Sequence, residues 1–334
     1  MGEIGMKKRF SLLALTATAA LALAACGGDK AADDSSKAES GDKTYNVGIL
    51  QYVEHPSLNE ATKGFKAALD EAGLDVKYQE ENAQGDASIN TTAANNLVAA
   101  APDVIFTNAT PSAQAVAAAT SDIPTLFTSV TDAVGAELID SMEKPGGNVT
   151  GTVDTHPDAI PNTVKFLAEE LEAKKIGMVF NSGEQNSRVQ VDRAKEAAKE
   201  NGVTIVEASA STSAEVKQAT ESLVDKVDAF YIITDNTVVS ALESVLDVAE
   251  AKKKPVMVGE LDSVARGGLG AYGFSYYDIG KEAGEMAAEI LEDGKKPADI
   301  PAAYPANLKF EINKETADKL GIDIDKDWDA EVVE

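Results

Sequence analysis

The sequence has one cysteine and two histidines, and this scarcity limits what the chain can do. The single cysteine, Cys26, has no partner for an internal disulfide, so the stability of the fold must come from apolar cores. A metal site needs three or four converging ligands, and neither His55 nor His156 belongs to a spaced ligand set. We therefore predict no metal and no cofactor, and we place both histidines on the surface or at the edge of a cleft.

Sequence motifs of common catalytic sites are also missing. The nucleotide-binding pattern G-x-x-x-x-G-K-[ST] does not occur, so the chain is not itself an ATPase. No G-x-S-x-G elbow occurs, and Ser182 has no histidine at a useful spacing, so nucleophilic hydrolysis lacks support. The run Gly268–Gly273 satisfies G-x-G-x-x-G, but it precedes and enters a predicted short strand, and we interpret it as a loop. The chain is predicted not to be an enzyme.

Basic residues are in a minority, because 30 lysines and arginines stand against 56 acidic residues and the net charge is −26. Such acidity argues against binding to nucleic acid and against electrostatic adhesion to anionic lipid. The chain is nevertheless long enough for two domains of ordinary size, since about 290 residues follow position 44.

The amino-terminal residues have the pattern of a secretory signal. A basic segment, Met6–Arg9, precedes the apolar stretch Phe10–Ala25, which is too short and too rich in alanine for a membrane span. The stretch ends in the sequence LAAC, which resembles a bacterial lipobox, whose cysteine becomes the lipidated first residue. We predict a signal peptide over 1–25, lipidation of Cys26 and a disordered tether over 26–44. The alternative is an ordinary signal peptide with an incidental cysteine. Removal of the signal takes away three basic residues and one acidic residue, which makes the net charge −28.

One order of strand, polar loop and helix occurs twice. Residues Tyr45–Gly73 begin with an apolar run typical of a buried strand, continue through a polar loop at Glu54 and end in an amphipathic helix. The same order returns from Ile176 to Gly202, with Glu184 in the loop. Each copy opens a series of alternating strands and helices, which predicts two similar α/β lobes with parallel, doubly wound sheets. In such sheets ligands bind beyond the carboxyl ends of the strands.

Three segments are typical of crossings between the lobes, and they predict a three-stranded hinge. The crossings are Thr152–Pro157, Phe274–Tyr277 and Ala302–Asn307. Both lobes are then discontinuous: 45–152 plus 276–302 form the amino-terminal lobe, 153–275 plus 303–325 form the carboxyl-terminal lobe, and 326–334 form a tail. Two lobes joined in this way can close around a ligand.

Several short segments together resemble a known family. These segments are Gly48–Pro56, Ser129–Asp132, Asn148–Thr152, Glu184–Ser187 and Tyr277–Gly280. They span nearly the whole mature chain and resemble the ABC-transporter substrate-binding lipoproteins, which have a type I periplasmic-binding fold and whose characterised members bind aromatic amino acids. The resemblance implies a non-catalytic receptor, lipid-anchored to the outer face of the bacterial cell membrane, that delivers an aromatic amino acid to an ABC permease. We expect a monomer.

Other functions stay open at this point. A sugar or nucleoside receptor of the same fold is the nearest alternative, followed by a surface sensor without a transport role. A transcriptional regulator on this fold would need an amino-terminal helix-turn-helix where this chain has a signal and a tether. An exported enzyme is disfavoured by the missing catalytic motifs.

The candidate ligand-binding residues lie mainly in loops that follow predicted strands. They are Tyr52, Glu54, Ser112, Thr131, Asn181, Glu184, Asn186, Ser187, Asp235, Asn236, Glu260, Phe274 and Tyr276. An amino acid brings one carboxylate and one ammonium group, so its site needs an anion-binding end and a cation-binding end.

Each end has named candidates. Helix-start N–H groups near Ser112 and Ser187, with Thr131, are predicted to bind the carboxylate. Asp235 or Glu184 is predicted to bind the ammonium, with neutral hydrogen bonds from Asn181 and Asn186. The choice of an aromatic wall from Tyr52 and Phe274 or Tyr276 follows from the family resemblance. The alternative for Ser112, Ser187, Asp132 and Asp235 is simple capping of helices.

Overall fold

The computed structural model describes residues 43–334. The predicted signal peptide, Cys26 and nearly all of the predicted tether lie outside the described residues. Within the described range, no helix combines sufficient length with sufficient apolar character to span a bilayer.

The first sheet is built from the amino-terminal strand and helix units. Its elements in chain order are β1 (Thr44–Gln51), α1 (Pro56–Glu71), β2 (Asp75–Asn82), α2 (Ala87–Ala99), β3 (Val104–Asn108), α3 (Thr110–Ala119), β4 (Thr125–Val130) and β5 (Val149–Val153). Its five strands are parallel and lie in the order β2-β1-β3-β4-β5. Every residue of β3, β4 and β5 is buried, as expected for parallel strands that are covered on both faces.

The second sheet follows with the same alternation. Its elements, together with the crossover helix α10, are α4 (Ala159–Glu169), β6 (Lys175–Phe180), α5 (Gln185–Glu200), β7 (Thr204–Ser209), α6 (Val216–Leu223), β8 (Ala229–Ile232), α7 (Asn236–Val239), α8 (Leu242–Ala251), β9 (Val256–Val258), α9 (Leu261–Val264), β10 (Gly270–Gly273), α10 (Tyr276–Asp293), β11 (Lys309–Asn313), α11 (Lys314–Leu320) and β12 (Glu331–Val333). Its seven strands lie in the order β12-β11-β10-β9-β8-β6-β7. The two sheets confirm the predicted α/β class with two lobes.

The second sheet departs from the sequence prediction in two places. β11 runs antiparallel to β10, with Gly270 opposite Ile312. The chain leaves this lobe at the carboxyl end of β10 and returns from the same side, so the returning strand must run in the opposite direction. Residues 326–334, predicted to be a tail, contain β12, which pairs in parallel with β11 as the edge strand.

The chain passes between the sheets after β5, after β10 and before β11. After β5 it enters α4, which packs on α5 and β10 in the second lobe. After β10 it enters α10, which packs along α1 in the first lobe. Thr152 then pairs with Ala303 beside the third passage. The predicted residue limits of the two lobes stay predictions.

Glycines allow α1 and α10 to lie in close contact. A Cβ atom on Gly280 would overlap the carbonyl group of Ala61, and a Cβ atom on Gly64 would overlap the carbonyl group of Tyr277. This contact fixes α10 to the first lobe directly after the chain has crossed from the second. It thereby positions Tyr276, the first residue of α10, at the boundary between the lobes.

Gly280→Ala is expected to destabilise the protein by about 1–2 kcal/mol. Alanine normally stabilises a helix interior by ~1 kcal/mol relative to glycine. Here the added methyl group overlaps the backbone of α1, and such overpacking costs about 1–3 kcal/mol or more. Urea denaturation measures the difference, and Gly147→Ala is the control because a Cβ atom at Gly147 meets no atom within 4 Å. Equal stability of the two variants would contradict the close contact between these helices.

Candidate binding site between the lobes

Side chains from the two lobes contact one another beyond the carboxyl ends of the strands. Ser57, near the start of α1, donates a hydrogen bond at 2.8 Å to Oε2 of Glu260, which follows β9. Gln190 on α5 donates through Nε2 at 3.4 Å to Oγ1 of Thr131, which follows β4. All four side chains are buried. We call this region the interlobe site, and it is the location at which open α/β sheets bind ligands.

The second lobe contributes two neighbouring buried carboxylates to this region, Asp235 after β8 and Glu184 before α5. Asp235 accepts hydrogen bonds from the backbone N–H of Asn181 at 2.6 Å, from Oγ of Ser187 at 2.6 Å and from the backbone N–H of Val238 at 2.7 Å. The last of these caps the short helix α7, so the capping predicted as an alternative role for Asp235 is present. The carboxylate of Asp235 is therefore largely occupied by bonds within its own lobe.

Glu184 is held by neutral side chains and, within the described residues, by no backbone N–H group. It accepts hydrogen bonds from Nδ2 of Asn236 at 2.6 Å, from Oγ1 of Thr237 at 2.9 Å and from Nδ2 of Asn181 at 3.5 Å. No lysine or arginine within residues 43–334 forms an ion pair with Glu184 or Asp235. Burial, together with the neighbouring Asp235, raises the pKa of Glu184 to about 7, and burial also raises the pKa of Asp235. A buried carboxylate without a cation is costly, so this pair favours a positively charged ligand group.

Two further acidic side chains, Asp154 and Glu260, lie at the boundary between the lobes. Asp154 accepts hydrogen bonds from Oγ1 of Thr131 at 3.1 Å and from the hydroxyl of Tyr276 at 2.9 Å. Glu260 accepts a second bond from Oγ of Ser263 at 3.1 Å in addition to the bond from Ser57. Burial raises the pKa of Glu260 to about 7 and raises the pKa of Asp154. The interlobe region therefore holds four buried carboxylates.

His55 does not lie where the sequence analysis placed it. Its side chain is buried beside the start of α1, with 5% exposure, because the loop after β1 turns inward. Burial and the nearby Arg266 lower the pKa of His55 to about 3, so its imidazole is neutral and offsets none of the acidic charge.

The first lobe contributes strained backbone and unpartnered hydroxyl groups. Ala109, directly after β3, has a φ of 92°, and Ser129, in β4, has a φ of 55°, although neither is glycine. Strain of this kind is concentrated at functional sites. Oγ1 of Thr110 and Oγ of Ser129 are buried and have no hydrogen-bond partner within the described residues. Helix α3 begins at Thr110 without a side-chain N-cap, so its positive end faces no capping oxygen.

An aromatic cluster completes the region. Tyr52, Phe274 and Tyr276 are buried in one apolar cluster, and the rings of Phe274 and Tyr276 stack at a centroid distance of 5.7 Å. Burial raises the pKa of Tyr52 to about 12, and the charges of Glu184 and Asp235 add to this effect. Tyr52 belongs to the first lobe, and the charges of Glu184 and Asp235 act on its hydroxyl. Tyr52 therefore lies near these two carboxylates of the second lobe.

The structure buries eleven of the thirteen candidate residues. The buried ones are Tyr52, Ser112, Thr131, Glu184, Asn186, Ser187, Asp235, Asn236, Glu260, Phe274 and Tyr276. Asn181 is half-buried, and Glu54 is exposed in a separate groove with Lys63. The hydroxyl of Ser112 donates to Oδ1 of Asn90 at 3.1 Å, so it is turned toward α2 instead of lying free beside the start of α3.

Several residues of the region were missed by the sequence analysis. Asp154, Thr110, Ser129, Gln190 and Thr237 take part in the contacts above or carry unpartnered polar atoms. Asp154 lies two residues after the family-like segment that ends at Thr152, and this proximity was the available signal. The positive φ values of Ala109 and Ser129 could not be predicted from the sequence, because alanine and serine do not favour that conformation.

Comparison with known proteins shows the family of the chain. A family model described as ABC transporter substrate binding protein matches residues 46–331. A tyrosine-binding protein from Clostridioides difficile (strain R20291) is 42% identical over 325 residues, which are 95% of this chain and 93% of that protein. Among solved structures, the ABC domain in complex with L-Trp from Streptococcus pneumonia is 34% identical, with a TM-score of 0.83 over 87% of this chain and 99% of that one.

A second solved structure differs more from this one. The ligand-free, open structure of a substrate-binding protein with adhesive properties from Clostridium difficile is 38% identical, with a TM-score of 0.64 over 86% of this chain and 99% of that one. The family model nevertheless covers most of the described residues, and the tyrosine-binding protein and the L-Trp complex are 42% and 34% identical to this chain over 93% and 99% of their own lengths. The chain therefore belongs to the family of ABC transporter substrate-binding proteins.

Proposed function

We propose that this chain is the extracytoplasmic receptor of an ABC importer and that it binds an aromatic amino acid as a zwitterion in the interlobe site. The observation that carries the proposal is the pair of buried carboxylates without ion pairs, which lies close to an aromatic cluster. The substrate-binding family has a non-enzymatic role, with a small-molecule ligand and an ABC permease as partners.

Glu184 is the preferred partner for the ligand's ammonium group. Asp235 already accepts three hydrogen bonds from its own lobe, two of them from backbone N–H groups. Glu184 accepts from neutral side chains only, so a charged donor would add the most there. In this arrangement Asp235 fixes Asn181 and Ser187, while Asn236 orients Glu184.

The start of α3 is the preferred partner for the ligand's carboxylate. A helix amino terminus presents N–H groups and a positive dipole end, and α3 has ten residues and no side-chain cap. The unpartnered hydroxyls of Thr110 and Ser129 would donate to the same carboxylate. This assignment keeps the predicted helix start near Ser112. The hydroxyls of Ser112 and Ser187 do not take part, because they are engaged by Asn90 and Asp235.

The side chain of the ligand would pack against Tyr52 and Phe274. An aromatic ring buries a large apolar area and stacks on other rings, which suits a buried cluster of this kind. The relative named for tyrosine and the neighbouring structure that contains L-Trp support the same ligand class.

Closure of the lobes on the ligand is part of the proposal. The structure agrees better with the L-Trp complex than with the ligand-free, open structure, although the sequence identity to the open protein is slightly higher. The contacts of Ser57 with Glu260 and of Gln190 with Thr131 are those expected of a closed form. Hinge closure of this kind shields the ligand from water.

A screen of thermal stability against amino acids, sugars and nucleosides tests the ligand class. A ligand at a hundred times its dissociation constant should stabilise the protein by about 2.7 kcal/mol. We expect this stabilisation from aromatic amino acids. Stabilisation by a sugar or a nucleoside, with none by an amino acid, would show that the ligand class is wrong.

We also propose that Cys26 carries the lipid anchor and that the protein is a monomer on the outer face of the cell membrane. Cys26→Ser is expected to release the protein from the membrane fraction, because the strongly acidic chain has no electrostatic affinity for anionic lipid. Fractionation after a high-salt wash is the measurement, with Ser36→Ala in the predicted tether as the control. Retention of the Cys26→Ser protein in the membrane fraction would refute the lipid anchor.

A further inference from the structure

A cavity beside the hinge adjoins the interlobe site and shares the side chain of Thr131 with it. It has a volume of about 570 Å³ and is lined by the loop after β4, by two of the three crossing segments and by one residue of α5. We call it the hinge cavity and define it by Val134, Met142, Val153, His156, Arg193 and Tyr304. Its volume falls in the usual range of small-molecule sites, which is about 300–1,000 Å³.

The walls of the hinge cavity are mainly apolar. Residues 43–334 contain four exposed large hydrophobic side chains, and two of them, Val134 at 45% and Tyr304 at 53% exposure, line this cavity. Met142 and Val153 extend the apolar lining inward. Exposed apolar side chains that converge on one cavity are typical of a binding site, whereas single ones need no explanation.

Arg193 supplies the one strong positive charge in this lining. Its Nη1 donates a hydrogen bond to Oγ1 of Thr155 at 2.9 Å, and it forms no ion pair with a carboxylate within residues 43–334. A guanidinium has five N–H donors in a fork that matches a carboxylate. The carboxylate of Asp132 lines the same cavity, and the charge of Arg193 also acts on the nearby buried Asp154, whose pKa is raised by burial and lowered in part by Arg193. Among the described residues Thr155 is the one hydrogen-bond partner of the Arg193 side chain, so its other N–H donors are available to an anionic group.

We propose that the hinge cavity is a second small-molecule site, which binds a compact monocarboxylate with an apolar, ring-sized body and holds the carboxylate on Arg193. The occupant contacts the first lobe through Val134 and Met142, the second lobe through Arg193, and a crossing segment through Tyr304. This site uses neither the carboxylate pair nor the aromatic cluster of the interlobe site.

Methionine methyl groups provide a local test. Met142 lines the hinge cavity, whereas Met178, Met257 and Met286 lie in the cores of the lobes. Phenylacetate is the probe, and phenylacetamide is its uncharged match of the same shape. In protein labelled with ¹³C at the methionine methyl groups, phenylacetate is expected to shift the Met142 signal saturably and to leave the three core signals in place. Met142→Leu assigns the signal.

Variants separate the hinge cavity from the interlobe site. Arg193→Gln is expected to weaken phenylacetate binding at least about tenfold. Phenylacetamide is expected to bind the parent protein more weakly than phenylacetate by a similar factor, because each change removes one charge-assisted contact. Arg188→Gln, on the same helix but outside the cavity, should bind like the parent. Val134→Trp, at an exposed position, should fill the cavity and abolish the shift. Thr110→Val removes an unpartnered hydroxyl from the anion-binding end of the interlobe site, and it should leave the shift intact.

Three results would overturn the proposal. The Met142 signal could fail to move with phenylacetate, or Arg193→Gln could bind phenylacetate as tightly as the parent does. The shift could also weaken or vanish in Thr110→Val, and the probe would then occupy the interlobe site while Met142 reports only closure of the lobes.

Discussion

Glu184→Gln is expected to weaken binding of the amino acid about 30-fold or more, which corresponds to about 2 kcal/mol. The substitution keeps the hydrogen bonding of the side chain close to the original but removes the charge that faces the ligand's ammonium group. The pKa of Glu184 is raised to about 7 by burial and by Asp235. Only the ionised form attracts an ammonium, so the affinity of the parent should fall as the pH drops below about 7. Isothermal titration at several pH values measures both effects, and the variant should lose most of this pH dependence.

Glu54→Gln is the matched control for this experiment. Glu54 was a candidate from the sequence, but it is exposed and lies in a separate groove. It should bind the ligand like the parent. Asp235→Asn should also weaken binding, and in addition it should destabilise the second lobe, because Asp235 caps α7 and accepts from Asn181 and Ser187. Unchanged affinity in both Glu184→Gln and Asp235→Asn would place the ammonium elsewhere.

The ligand-free protein is expected to be more stable at about pH 5 than at about pH 8, by on the order of 3 kcal/mol. The pKa values of Glu184 and Glu260 are each raised from 4.5 to about 7, mainly by burial. Between these two values the folded state binds more protons than the unfolded state. The free energy of unfolding therefore falls as the pH rises through this window, and two such groups together contribute on the order of 5 kcal/mol.

His55 acts in the opposite direction but has the smaller effect. Its pKa is lowered from 6.5 to about 3, so below pH 6.5 the unfolded state binds the extra proton and acidification destabilises the fold. Between pH 6.5 and pH 5 this amounts to about 2 kcal/mol. Urea denaturation at both pH values measures the net effect. In the double variant Glu184→Gln and Glu260→Gln the advantage of acidic pH should become smaller, while the raised pKa values of Asp154 and Asp235 still act in the same direction. A parent that is less stable at pH 5 than at pH 8 would contradict the burial of these carboxylates.

Most of the fold could be predicted from the sequence because both lobes repeat one local pattern. The buried runs of β1 and β6, each followed by a polar loop and an amphipathic helix, carry the signal within a few tens of residues. The antiparallel β11 could not be predicted in this way, because its direction depends on where the chain re-enters the lobe. β12 has three residues, which is too short for an alternating pattern to be read.

The candidate site was predictable by position but not by orientation. Strand ends could be located from the sequence, and Glu184 and Asp235 indeed lie together there. The hydroxyl that stays free for a ligand is determined by packing. The hydroxyl of Ser112 donates to Asn90, whereas the hydroxyl of Thr110 has no hydrogen-bond partner within the described residues. Glu54 was expected at the site because it follows β1, yet its side chain is exposed on the surface.

Calorimetry with a matched series of ligands tests the central claim most directly. The series consists of L-tyrosine, L-tryptophan and L-phenylalanine, their decarboxylated amines, and the corresponding acids that lack the amino group. In the proposed site Glu184 binds the ammonium and the start of α3 binds the carboxylate, so each analogue loses one charge-assisted contact. At least one of the three amino acids should therefore bind at least about 30-fold more tightly than its amine and than its acid. Equal binding of an amine and its parent amino acid would contradict an anion-binding end at α3, and equal binding of the acid would contradict a cation-binding end at Glu184.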